Sequence, residues 1–167
     1  YANKYTSIGK DLISAVGTYF NQSGVNYNIE VYVNDQAVYN QSGVSRYMGF
    51  ETVKLDKYIG VDENDTFIVE IGAGAAVPVS KGSRQHYTNN SSFVGLNGGY
   101  DDLYSDDEVA SIKVYTIPDN SYMDIQSYQN TVQVTYFDEE GNPLTNADVY
   151  VIANGLEYAQ TTDENGV

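Results

Sequence analysis

At 167 residues the chain is longer than the ~100 residues of one immunoglobulin-like sandwich and shorter than two domains of common size, so one domain and a piece of a second is the expectation. A formal charge of −15 argues against binding nucleic acid or an anionic membrane face, both of which need a positive patch, and directs attention to neutral or cationic partners. The absence of cysteine rules out disulfides, thiol catalysis and thiolate metal sites, and no run of about 18 apolar residues offers a membrane span.

Seventeen Tyr and 15 Gly against 3 Pro and no Trp favour strands joined by tight turns. In chain order, the first candidate element is Asp11 to Phe20. Its Ser-Ala-Val-Gly-Thr-Tyr-Phe content is β-branched, aromatic and glycine-containing, which favours a strand over a helix. Period two then dominates: Tyr27, Ile29, Val31 and Val33 face one way while Asn28, Glu30, Tyr32 and Asn34 face the other. The same alternation runs through Thr52 to Asp56, Phe67 to Ile71 and Glu108 to Tyr115. Turn signals separate these runs at Asn34-Asp35, Gln41-Ser42-Gly43, Asp62 to Asp65, Lys81-Gly82-Ser83 and Asn97-Gly98-Gly99. Strands recurring at roughly 8–12 residues imply an antiparallel sandwich or jelly roll.

Ile117-Pro118-Asp119-Asn120-Ser121 breaks the pattern, and a domain boundary is expected there. The division is 1–117 for the first module, 118–127 for a linker and 128–167 for the start of a second. In that second module Thr131 to Phe137 and Ala147 to Ala153 alternate, with turns at Asp138 to Pro143 and at Asp163 to Gly166. The expectation is an all-β chain, a jelly-roll-like β-sandwich followed by part of an immunoglobulin-like one.

The segments Tyr1 to Thr6, Ala15 to Phe20, Tyr27 to Tyr32 and Thr52 to Lys57, continued by Asp65 to Glu70 and Ala76 to Val79, carry a likeness. Over residues 1–117 they resemble the lectin-like domain attached to papain-type cysteine peptidases and to adhesin-like surface proteins of archaea and bacteria. Thr135 to Leu144, Ala147-Asp148-Val149 and Thr162 to Gly166 resemble the opening of an immunoglobulin-like adhesin repeat, which would continue with further strands. The resemblance implies an extracellular, cell-surface adhesin module and transfers no agreed binding residues. Where peptidase-linked relatives are expected to carry a Trp-bearing hairpin, this chain reads Asn97 to Tyr104 without one.

Catalysis finds little support in the residues. The sole imidazole, His86, lies in a polar loop with no nucleophile elbow, and a glycosidase-like carboxylate pair among Glu30, Glu51 and Glu70 is not placed across a cleft by strand phase alone. A non-enzymatic module is therefore expected. Asp101, Asp102, Asp106, Asp107 and Glu108 put five carboxylates into eight residues. Such a loop suits Ca²⁺, which takes ~6–8 oxygen ligands, or else is a solvated, self-repelling acidic turn; no cofactor is required. Saccharide recognition would use aromatic faces, drawn from Tyr32, Tyr39, Tyr47, Tyr87, Tyr100 and Tyr104, although tyrosines also simply cover sheet faces. Tyr100 and Tyr104, with Asp101 and Asp102, are the expected ligand site. Five sequons, beginning at Asn21, Asn40, Asn64, Asn89 and Asn90, all fall in expected turns.

The function expected is adhesion to glycans or proteins of another cell or of the envelope. The alternatives are an accessory domain of an extracellular cysteine peptidase and a ligand-free stalk. Homodimerisation through the partial second module is also expected, because an incomplete sandwich exposes strand edges.

Overall fold

The computed structural model describes residues 1–74, 76–96, 99–120, 122–128, 131–153 and 156–167. Among them the strands are β1 (Ala2–Thr6), β2 (Asp11–Phe20), β3 (Asn26–Val33), β4 (Gln36–Val44), β5 (Gly49–Val61), β6 (Thr66–Ala73), β7 (Val79–Ser80), β8 (Ser92–Leu96), β9 (Gly99–Asp102), β10 (Val109–Ala110), β11 (Lys113–Pro118), β12 (Tyr122–Tyr128), β13 (Thr131–Phe137), β14 (Asp148–Ala153) and β15 (Leu156–Thr161). Every pairing is antiparallel. No α-helix occurs among the described residues, and the one helical segment is a 3₁₀ turn at Leu103–Asp106. The chain divides into two compact units, Tyr1–Asp119 and Asn120–Val167.

The first unit is a two-layer sandwich. One layer is a six-stranded sheet in the order β4-β3-β6-β1-β8-β9, the other a three-stranded sheet in the order β11-β2-β5, and β7 pairs with β10 in a small third sheet. Ile29, Val31, Phe67, Val69 and Ile71 from the larger sheet meet Ile13, Val16, Val53, Leu55, Ile59 and Val61 from the smaller. Burying a side chain of this size stabilises by ~1.5–3 kcal/mol, so these alternating positions dominate the cohesion of the layers.

Ile13 and Val16 are three residues apart yet both buried, which a regular strand forbids because odd separations change face. Against β11, Ser14 is an extra residue between Ile13↔Thr116 and Ala15↔Tyr115, and this bulge resets the phase, while on the other side β5 carries the surplus residues between Lys54↔Ala15 and Ile59↔Ile13. The Ser14 hydroxyl donates to the Tyr115 carbonyl at 3.1 Å, satisfying the irregular spot.

Asp11–Phe20 is a strand, as its composition predicts, and Asn34 and Asp35, at φ 48° and 65°, form the tight β3–β4 turn. Three segments differ from their sequence reading. Gln41-Ser42-Gly43 lies inside β4 rather than in a turn: it pairs with Tyr27 to Ile29, and the Ser42 hydroxyl donates to Asn28 Oδ1 at 3.0 Å. Asn40 therefore sits on a strand too. Glu108 to Tyr115 is interrupted between β10 and β11, which join different sheets. Within 118–127, where a linker was expected, β12 pairs with β13 from Tyr122↔Phe137 to Tyr128↔Thr131. The expected Asn97-Gly98 turn lies outside the described residues.

Among the described residues the second unit holds two antiparallel strand pairs, β12 with β13 and β14 with β15. The Asp138 turn is closed by the Asn142 backbone N–H, which donates to the Asp138 carboxylate at 2.7 Å. Buried Thr162 donates to the Leu144 carbonyl at 2.6 Å and accepts from the Ala147 N–H at 2.9 Å.

Candidate functional site

Six side chains on the outer face of the six-stranded sheet bound a groove of about 380 Å³: Ala2, Tyr32, Ile68, Glu70, Phe93 and Tyr100. Alternation explains their common face, since the residues between them on each strand point into the core. Register sets them side by side. Tyr32 lies opposite Ile68 and Glu30 opposite Glu70 across β3 and β6, while Ala2 stands between Glu70 and Phe93. Ala2 is 2% exposed and forms the floor.

The far wall is aromatic. Gly95 on β8 is the cross-strand partner of Tyr100, and a Cβ at Gly95 would come within 3.3 Å of the tyrosine ring. The missing side chain lets that ring lie across the neighbouring strand. Phe93 meets it edge-on, at 6.5 Å and 81°, within the favourable range for aromatic pairs.

The acidic side is held in place by neutral donors. Glu30 accepts from Asn28 Nδ2 at 2.9 Å, from Asn40 Nδ2 at 3.1 Å and from the Tyr32 hydroxyl at 2.6 Å. That last bond pushes ionisation of the Tyr32 phenol up to about 12, because losing its proton beside Glu30 would oppose two negative charges. Burial, followed by hydrogen bonding to Glu70 and the charge of Glu70, raises Tyr100 as well. Both phenols stay protonated across the physiological range, their protons engaged by Glu30 and Glu70. The groove thus offers stacking faces and, as acceptors, phenolic oxygens and the Glu70 carboxylate within one concavity, the composition of a small-ligand site.

A second cleft, of about 420 Å³, lies at the open side of the sandwich and is lined by Tyr27, Gln41, Arg46, Glu51 and Lys54 among others. Its groups largely engage one another. The Arg46 backbone N–H donates to Glu51 at 2.9 Å, the Arg46 guanidinium lies 3.9 Å from the same carboxylate, and Gln41 donates to the Lys54 carbonyl at 3.4 Å.

Of the residues expected from sequence to form the site, Tyr100 lines the groove and the others do not. Asp101 follows it on β9 and by alternation points to the other face. Asp102 caps the 3₁₀ turn: its carboxylate accepts from the Tyr104 N–H at 3.0 Å and the Asn90 N–H at 2.7 Å. Tyr104 is exposed on that turn. Asp107 closes it in the left-handed conformation, at φ 55°. Lys81 donates to the Asp106 backbone carbonyl at 2.6 Å and stands 3.8 Å from the Glu108 carboxylate. Among the described residues no three acidic or imidazole groups converge on a point where a metal ion would sit. The run Asp101, Asp102, Asp106, Asp107 and Glu108 is divided among the strand β9, a cap, a turn and an ion pair. Buried Leu103 anchors it from below.

Sequence reasoning missed Ala2, Ile68 and Phe93, and considered Glu70 only as a member of a catalytic carboxylate pair. Alternation alone puts Glu30 with Tyr32 on one outward face, but only the β3–β6–β1–β8 order brings the other four beside them. The remaining tyrosines are occupied or isolated. Tyr39 is buried, donates to Asp56 at 2.6 Å and is raised to about 12 by burial and that bond; Tyr87 bonds the Gly82 backbone; Tyr47 is exposed. No family model, no curated protein and no solved structure matches the chain.

Proposed function

We propose that this chain is a non-catalytic recognition module of an extracellular, cell-surface adhesin, and that the groove on its six-stranded sheet takes a saccharide ring. One observation carries the reading: Tyr32, Phe93 and Tyr100 surround Glu70 in a single concavity. A pyranose presents a C–H face that stacks on aromatic rings and a rim of hydroxyls that carboxylates and phenols fix in orientation. Glu70 lines the groove with Glu30 beside it on the neighbouring strand, rather than across the concavity over a scissile bond, which favours holding a sugar over hydrolysing it. His86 is exposed on its loop. The second unit is read as the opening of an immunoglobulin-like stalk repeat, in keeping with the resemblance of its turns.

The test is retention on a glycan array followed by calorimetry of the best ligands. Tyr100→Ala is expected to weaken binding at least ~10-fold, equal to about 1.4 kcal/mol, with an unchanged circular dichroism spectrum. Binding is expected to persist in a chelator, because the ligand contacts come from Tyr and Glu side chains directly. Equal affinity of the native chain and Tyr100→Ala for every retained glycan would remove the groove from consideration.

A further inference from the structure

Resting on the reading of the groove as a saccharide site, we propose that the sugar it selects carries a free ammonium group, an amino sugar without its acyl substituent. The cross-strand pairing of Glu30 with Glu70 sets two carboxylates directly opposite each other, an arrangement that disfavours both unless a cation joins them. Among the described residues neither has a Lys, Arg, His or amino-terminal nitrogen within ion-pair distance; the ion pairs present are Lys10–Asp119, Arg46–Glu51 and Lys81–Glu108. Two positive groups belong to neighbouring positions. Lys4 shares the outer face opposite Ile68, and the α-amino group of Tyr1 donates to the Ile71 carbonyl at 3.0 Å. The Tyr1 ammonium feels the charge of Glu70, but among the described residues neither group comes within ion-pair distance of either carboxylate.

Glu30 is instead fixed by three neutral donors, Asn28, Asn40 and Tyr32. They set its orientation and leave its charge in place. Beside this anionic strip stand three rings whose faces are themselves electron-rich. An ammonium lodged there makes a charge-assisted hydrogen bond to Glu70 and lies against an aromatic face, the geometry of cation–π attraction. An acetamido group brings no charge, and its carbonyl oxygen would meet carboxylates. An acidic sugar would be repelled outright. Preference for the free amine follows from the groove's charge, while stacking serves all sugars alike.

The experiment compares a glucosamine disaccharide with its N-acetylated counterpart by calorimetry on the full chain, for the native protein, Glu70→Gln, Glu30→Gln and Tyr100→Ala. Glu63→Gln, in the β5–β6 turn outside the groove, controls for overall charge. The free amine is expected to bind at least ~10-fold tighter. Glu70→Gln or Glu30→Gln should shrink that ratio toward one while retaining the N-acetylated sugar, Tyr100→Ala should weaken both sugars, and Glu63→Gln should change nothing. Equal binding of both sugars, lost in Tyr100→Ala, overturns the ammonium inference and leaves the saccharide reading standing. Binding of neither overturns both. A preference that persists in Glu70→Gln and Glu30→Gln, or falls equally in Glu63→Gln, reduces it to the diffuse attraction of a chain of charge −15 and overturns the inference.

Discussion

Asn3 occupies an inward-facing position of β1 where an apolar residue would be expected, and it is buried. Its amide donates to the Ala110 carbonyl at 2.9 Å, and its oxygen accepts from the Ser92 hydroxyl at 2.7 Å, which in turn accepts from the Ala110 N–H at 2.8 Å. Three strands are thereby tied by a closed polar ring inside the sandwich. Ser92→Ala strips a partner from two buried groups at once, and a loss of about 1–3 kcal/mol is expected. It would be read as a lower denaturant midpoint at unchanged slope; an unmoved midpoint would mean that the ring contributes nothing net. A different residue-scale effect comes from Asp65. Its carboxylate accepts from Asn34 Nδ2 at 2.7 Å and from the Asp62 N–H at 2.9 Å, and these bonds, Asn34 first, hold it below the usual carboxylate range. A depressed folded-state value means the stabilisation is complete above ~3.9 and is lost as pH falls through the folded value. Unfolding midpoints followed from pH 6 downward should therefore decline in acid for the native chain, and less steeply for Asp65→Asn. Identical pH profiles would contradict this.

The elements differ in how openly the sequence declares them. β2, β3, β6 and β13 are legible because their apolar residues alternate without interruption or carry β-forming composition. β4 is not, since Gln41-Ser42-Gly43 is turn chemistry by composition and becomes strand only through its ladder with β3. β12 was hidden for a related reason: turn-forming residues immediately before it mask its pairing with β13. In the second unit Gly166 stands at φ 76°, and a Cβ there would lie 2.7 Å from the Tyr136 carbonyl oxygen and 3.0 Å from Pro143. The same glycine's carbonyl accepts from the Tyr136 N–H at 2.9 Å, holding the Asp163–Gly166 turn to β13. Gly166→Ala adds both a left-handed penalty of ~1–2 kcal/mol and a collision with backbone. Faster hydrogen exchange at Tyr136 and Leu144 is expected, with amides of β2 and β6 unaffected; equal protection at Tyr136 would refute the strain.

For the molecule as a whole, the all-β class and a change of character near residue 118 were visible in the sequence, whereas the groove was not. Periodicity reports which way a side chain points and is silent about which strand lies alongside. Glu30 and Glu70 are forty residues apart in the chain and become neighbours only through strand order, whereas the run from Asp101 to Glu108 is conspicuous because its carboxylates are contiguous, and of these the Asp102 carboxylate caps the turn. Strand edges bear on assembly as well. Among its described residues the second unit holds two two-stranded sheets, a size that is marginal in isolation and leaves backbone groups available for pairing. Light scattering on residues 1–167 and on residues 1–119 is expected to give a dimer for the first and a monomer for the second; the same number of chains per particle in both would reject self-association through this unit.

Ala2 contributes almost no surface of its own, yet it fixes how far a ring can sink between Glu70 and Phe93. Because its methyl points away from the packed layers, a longer side chain there would act as a shim, making the recess shallower while leaving the interior untouched. Ligand size and thermodynamic robustness are thus governed by different residues, and one can drift without the other.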